Sequence, residues 1–171
     1  MNTKITLNQI KAEVDKLASQ IGASGYILPT YGHSEDGARP HIDVDSRGYH
    51  YVVVERGEEF QRITTNDLDT LLYNIFEHVT FDLACKYELE RRVVGQDFRR
   101  LMFQRQVELL SMLSPRWGET ESQEHEKILQ QNPYDDNASL RAALTKTLRE
   151  QGLLSDDAWR RACGQYPLPK T

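Results

Sequence analysis

The stretch "HIDVDSRGYHYVVVERGEEFQRITTNDLDTLLYNIFEHVTF", residues 41–81, decides the fold, because its hydrophobic period changes partway along. In "HIDVD" Ile42 and Val44 alternate with His41, Asp43 and Asp45, the period of two that marks a half-buried strand. "SRG" then reads as a three-residue turn, with Gly48 in the left-handed position. "YHYVVVE" is apolar on both faces towards its end, as suits a central strand, "RGE" turns again, and "EFQRIT" supplies the last strand. From Thr65 the period becomes helical: Leu68, Leu71, Leu72, Ile75, Phe76, Val79, Leu83 and Tyr87 recur at steps of three and four. Thr65 or Asn66 caps that helix, and Asp67 and Asp69 fall in its first turn, where the dipole favours negative charge. Gly95 breaks it.

Outward from this stretch the pattern is simpler. Upstream, Leu7, Ile10, Val14, Leu17 and Ile21 form an amphipathic helix with a capping box at "TLNQ" (6–9), ended by Gly22. "YILPTY" (26–31) reads as a short proline-bearing strand at a sheet edge, followed by the polar loop "GHSEDGARP" (32–40). Downstream, "QDFRRLMFQRQVELLSML" (96–113) forms a helix that turns Phe98, Leu101, Met102, Leu109, Leu110 and Leu113 inward. "SPRW" (114–117) starts the next, with Ser114 as cap and Pro115 in the first turn, and that helix stops before "NPYDDN" (132–137). "SLRAALTKTLREQG" and "SDDAWRRACG" supply two shorter helices. The expected class is α+β: an N-terminal helix, a small antiparallel sheet of three to four strands, then a mostly helical C-terminal half.

At 171 residues the chain suits one domain that buries about 68–70% of its unfolded surface. Its net charge of -5 argues against broad nucleic-acid binding. The N-terminus lacks the apolar core of a signal peptide, and no run approaches the ~20 apolar residues of a membrane span. Cys85 and Cys163 are expected as free thiols of a cytosolic protein. Charge is uneven: residues 41–82 carry nine acids against three arginines, a net of -6, whereas 86–117 net +3 and 118–137 net -5.

The chemical candidates fall away in turn. His41, Asp43 and Asp45 share a strand face, yet neighbours on it stand roughly 6.6 Å apart and the outer two roughly 13 Å, too far to converge on one ion at about 2.0–2.5 Å. Cys85 follows His78 by two helical turns but sits among Leu83, Ala84 and Tyr87, the setting of a structural thiol. Asp135 and Asp136 are explained by a turn and a helix cap. There is no HExxH, GxSxG, P-loop or GxGxxG. No cofactor, metal or catalytic residue is expected, and surface remains. Tyr49 and Tyr51 lie on one strand face, with Tyr26, Tyr31 and Tyr73 as candidate neighbours. They either wall the core or anchor an interface beside acids that steer a basic partner.

These residues also resemble a known family. "GYHYVVVERGEE", "TTNDLDTLLYNIFEHVTF" and "QDFRRLMFQRQVELL", with "SPRW" and "NPYDDN", look like the immunity protein 63 family of bacterial polymorphic toxin systems, over roughly residues 26–137. The resemblance implies a single immunity-type domain over 1–171, its core at about 26–137 and a helical extension at 138–171. It further implies a non-catalytic cytoplasmic antitoxin whose partner is the cognate toxin domain of a neighbouring gene, with no nucleic acid or membrane involved. Relatives often carry an aromatic residue where this chain has Asn74, a mark of partner variation or of a tolerated surface change. The candidate partner-binding residues are Asp43, Asp45, Tyr49, Tyr51, Glu55, Glu58, Glu59, Asp67, Asp69, Tyr73 and Asn74. Against a nuclease with a basic cleft, such carboxylates can mimic substrate phosphates. The alternatives are an adaptor or homo-oligomeric module unconnected to toxins, and an enzyme with an unrecognised site.

Overall fold

The structure is a computed structural model, and it describes residues 5–170. Helix α1 (Leu7–Gln20) opens on the expected capping box: the Gln9 amide donates to Thr6 Oγ1, and the Thr6 amide donates to Gln9 Oε1 at 2.8 Å. Four strands follow, β1 (Thr30–Tyr31), β2 (His41–Asp45), β3 (Gly48–Glu55) and β4 (Glu58–Thr65), then α2 (Leu68–Glu90), α3 (Phe98–Leu113), α4 (Pro115–Gln131), α5 (Ala138–Glu150) and α6 (Ser155–Gln165). The α+β class and its element order are as the sequence implies. Among the described residues no helix is long and apolar enough to cross a membrane. The chain divides into two compact units, residues 1–83 with 106–119 and residues 84–105 with 120–171.

The first unit holds α1 and the sheet, whose strand order is β1-β2-β3-β4. β2, β3 and β4 are antiparallel, but β1 pairs with β2 in parallel, so the sheet is mixed and not wholly antiparallel. The strand expected over 26–31 shrinks to two residues, because Gly25, at φ 71°, opens a 3-10 turn over Gly25–Ile27. Loop 32–40 then carries the chain back to run alongside β1. Both hairpin turns are one residue shorter than expected. Ser46–Arg47 link β2 to β3, and Gly48 already pairs with Asp45. Arg56 and Gly57, both at positive φ (53° and 77°), link β3 to β4 as a pair of the kind that matches strand twist. A bulge interrupts β3–β4: Val53 pairs with Gln61 and Val54 with Glu59, leaving Phe60 as the extra residue.

One face of the sheet supplies Ile42, Tyr49 and Tyr51 to a core with Ile10 and Val14 of α1 and Leu71, Ile75, Phe76 and Val79 of α2. Leu110 and Trp117 complete it, the Trp117 ring stacked on Phe76 at 6.1 Å. The cap of α2 is Asp67, one residue later than expected: its carboxylate accepts from the Thr70 amide at 2.9 Å, while Thr65 Oγ1 accepts from the Asp67 amide.

The second unit has a small apolar cluster of Ala84, Met102 and Phe103, and α5 packs on α6. Phe103 stacks on His125 at 3.8 Å, and His125 Nε2 lies 3.0 Å from Glu121 Oε1, both residues being buried. Phe98, expected to face inward, is 51% exposed; Phe103 and Gln106 are the buried residues of α3 beside Met102, Leu109 and Leu110. Helix α2 stops at Glu90, five residues before Gly95. Cys85 and Cys163 are free thiols, each half-buried, and the Cys85 thiol donates to Met102 Sδ at 3.4 Å.

Polar groups dominate elsewhere in this unit. Asp97, its side chain 5% exposed, accepts from the Arg99 guanidinium and amide and from the Asp135 amide. The Asp97 amide donates to Asp136, which also binds Arg100, and Asp135 binds the buried Arg141. Arg99 and Arg100 both lie against the Tyr134 ring. "NPYDDN" is thus one half of a charged lock and not merely a turn and a cap. Burial pushes the Asp97 carboxyl up, but the hydrogen bonds from Arg99 and from the Asp135 amide outweigh it and hold it below its usual range. The Arg100 hydrogen bond pulls Asp136 down to about 2.

Candidate partner-binding face

All eleven residues named from the sequence lie in the first unit, where β-pairing sorts them. Asp43 and Asp45 project from the face of β2 that carries His41, opposite the side that gives Ile42 to the core. Across β3 and β4 the same face continues, as the register Asp43–His50–Thr64 and His41–Val52–Arg62 requires. His50, 1% exposed, is fixed from both sides: Nδ1 lies 2.9 Å from Thr64 Oγ1 and Nε2 lies 2.8 Å from Asp45 Oδ1. Arg47 reaches back from the turn to Asp45 at 2.7 Å. Arg62 holds Glu59 at 2.6 Å and also feels Asp43 and Asp45.

Arginine donors therefore orient Asp45 and Glu59. Hydrogen bonds from Arg47 and then His50 hold Asp45 well below the usual carboxylate range. Arg62 does the same for Glu59, and the Thr70 hydroxyl and amide do so for Asp67. Asp43 is less tightly held, with His41 Nε2 at 3.8 Å.

The other named acids divide between the two ends of the β3–β4 hairpin. Glu55 and Glu58 face each other across the Arg56–Gly57 turn. At the other end, Gly48 of β3 abuts Thr65 and Asn66, which places the β2–β3 turn beside the Asp67 cap. Eight residues of β3 separate the ends, roughly 23 Å, so the acids form an extended rim and not one cluster. Asp69 is committed within the fold: it accepts from Trp117 Nε1 at 3.1 Å and pairs with Arg116 at 3.4 Å. Tyr73 is half-buried with its ring 6.4 Å from Trp117, and Asn74 donates to the Thr70 carbonyl.

Tyr49 and Tyr51 are each 5% exposed and sit in the core. The Tyr49 hydroxyl accepts from the Ile5 amide, and burial raises the Tyr51 hydroxyl above its ordinary range. Tyr31 is half-buried and Tyr26 fully exposed. The sequence reading passed over His50, Arg47 and Arg62, which orient the acids, and Phe60, 64% exposed at the bulge. Alternation alone could have placed His50 beside Asp43 once the hairpin register was set; nothing in the sequence marks the bulge.

Among the described residues no three His, Cys, Asp or Glu side chains are grouped to hold a metal ion. A pocket of about 640 Å³ in the second unit, lined by Val93, Val94, Phe98, Leu140 and Ala143 among others, contains none of the named residues.

Residues 45–127 match the family model of immunity protein 63, the family that the sequence resembles. The match spans the β-hairpin, α2, α3 and most of α4, just under half of the chain. No curated protein and no solved structure gives a match.

Proposed function

We propose, from the immunity protein 63 match over residues 45–127, that this protein binds and neutralises a cognate toxin stoichiometrically, without catalysis. That match is the observation that carries the reading. In this proposal the partner is the toxin domain of a neighbouring bacterial gene in a polymorphic toxin system, and the two meet in the cytoplasm. An ordered acidic rim suits such a role. Asp43, Asp45, Glu55, Glu58, Glu59 and Asp67 line strands β2 to β4 and the adjoining helix cap, in a segment of net charge -6. Several are held in place by arginine or backbone donors, so they meet a basic surface already oriented. Tyr49 and Tyr51 support the rim from beneath, while Asp69, Tyr73 and Asn74 brace its helical end. Inhibitory interfaces of this kind bury about 1,200–2,000 Å² in total.

The test separates steering from folding. Asp45 and Glu59 hold Arg47 and Arg62, so their replacement would disturb the sheet. Asp43, Glu55 and Glu58 carry weaker internal ties. Against the neighbouring toxin domain, a D43N/E55Q/E58Q variant is expected to associate about tenfold more slowly at low salt, the deficit shrinking as salt rises. Stopped-flow association measures this, and an unchanged rate contradicts the acidic-rim reading.

A further inference from the structure

β4 ends the sheet on the side away from β1, and the alternation of an antiparallel ladder shows which of its backbone groups face outward. The Pro40 and Ile42 carbonyls accept from the Thr30 and Gly32 amides on the β1 side. Neighbours along a strand turn their groups to opposite sides, so His41, Asp43 and Asp45 serve β3. Their partners Val52, His50 and Gly48 then serve β2, in keeping with the bond from the Ala38 amide to the Val54 carbonyl. Tyr49, Tyr51 and Val53 serve β4, and are met by Thr65, Ile63 and Gln61. Arg62 and Thr64 are left with amide and carbonyl directed away from the sheet.

Open edges are commonly blunted by bulges, lysines or prolines. β4 has its bulge at Phe60, but Gln61–Thr65 beyond it run in regular register, contain no lysine or proline, and carry one charge, Arg62, already paired with Glu59. An edge built only to repel strands would not display an aromatic ring 64% exposed. Charge selects the occupant. The surrounding segment nets -6, so a second copy of this chain meets its own sign, whereas a basic strand meets the opposite one.

We infer that β4 takes up an extended strand of a basic partner protein, hydrogen-bonded to the amides and carbonyls of Arg62 and Thr64, with Phe60 as the aromatic anchor at its end. This rests on the immunity reading, the partner strand belonging to the toxin. The test compares R62P with R62A against the toxin domain of the neighbouring gene. Both variants lose the guanidinium, but only proline removes the outward N–H, at an edge position where the ladder to β3 is kept. R62P is expected to bind at least about tenfold more weakly than R62A. Hydrogen exchange on the unmodified chain supplies a second readout, with the Arg62 and Thr64 amides slowing in the complex. Equal affinities with unchanged exchange at these amides overturn strand docking while leaving the immunity reading intact. Protection that appears in the free protein and grows with concentration assigns the edge to a second copy and also overturns it. If the unmodified chain forms no complex at all, the immunity reading falls and strand docking with it.

Discussion

Asp97→Asn is expected to lower the stability of the second unit by about 3–5 kcal/mol, among the largest effects for any single substitution in this chain. The change is nearly isosteric, so no cavity opens. What it removes is the charge that Arg99 needs: the Arg99 side chain is 18% exposed and donates to both Asp97 oxygens. An amide there leaves that guanidinium uncompensated and turns an N–H₂ towards the Arg99 and Asp135 donors. Asp157→Asn, which breaks the exposed pair with Arg160, is expected to stay within about 0.5 kcal/mol. Urea unfolding followed by circular dichroism distinguishes the two. The pH dependence has a definite sign. Asp97 and Asp136 titrate below their unfolded value of about 4. Their contribution is therefore complete above that pH and is lost as pH falls through the folded values, which for Asp136 is about 2. D97N removes part of it, so the variant loses stability less steeply than the parent across this acid range. A cost below about 1 kcal/mol with an unchanged acid limb contradicts the lock.

The second large effect is expected at Gly48. Its φ of 149° lies in a region that side-chain-bearing residues rarely adopt, and a β-carbon there presses into the Thr65 carbonyl oxygen and stands 3.1 Å from Asn66 Oδ1. The close approach is backbone to backbone, so no rotamer change relieves it. Gly48→Ala is expected to cost about 3 kcal/mol, combining backbone strain with overpacking. It also displaces the segment that leads into the Asp67 cap, so the thermal midpoint and the association rate with the toxin domain are expected to fall together. A midpoint within about 2 °C of the parent contradicts this account of the hairpin.

These two sites show what the sequence discloses and what it withholds. Helix α2 was legible because Leu68, Leu71, Leu72, Ile75, Phe76 and Val79 repeat along one face over several turns. The hairpin was legible because alternation and two glycine-bearing turns left few registers open. The cap slipped from Thr65 or Asn66 to Asp67, since three polar residues in a row can each cap and only packing chooses among them. Phe98 misled for a similar reason: its spacing fits the helical stripe, but it lies at the first residue of α3, where the stripe runs out into solvent. The Asp97 lock was not legible at all. Its two halves are 38 residues apart, and no local pattern ties an acid before one helix to an amide before another. Among the candidate site residues, the acids were legible by charge density. Their ordering by Arg47, His50 and Arg62 follows only from the register, and the burial of Tyr49 and Tyr51 only from the packing of the sheet on α1 and α2.

The most direct test of the central claim is co-expression of the full chain in bacteria with the toxin domain of the neighbouring gene, followed by size-exclusion chromatography of the purified material. Rescue of growth together with a 1:1 complex is the predicted result. Cells that still die, with the two proteins eluting apart, contradict it.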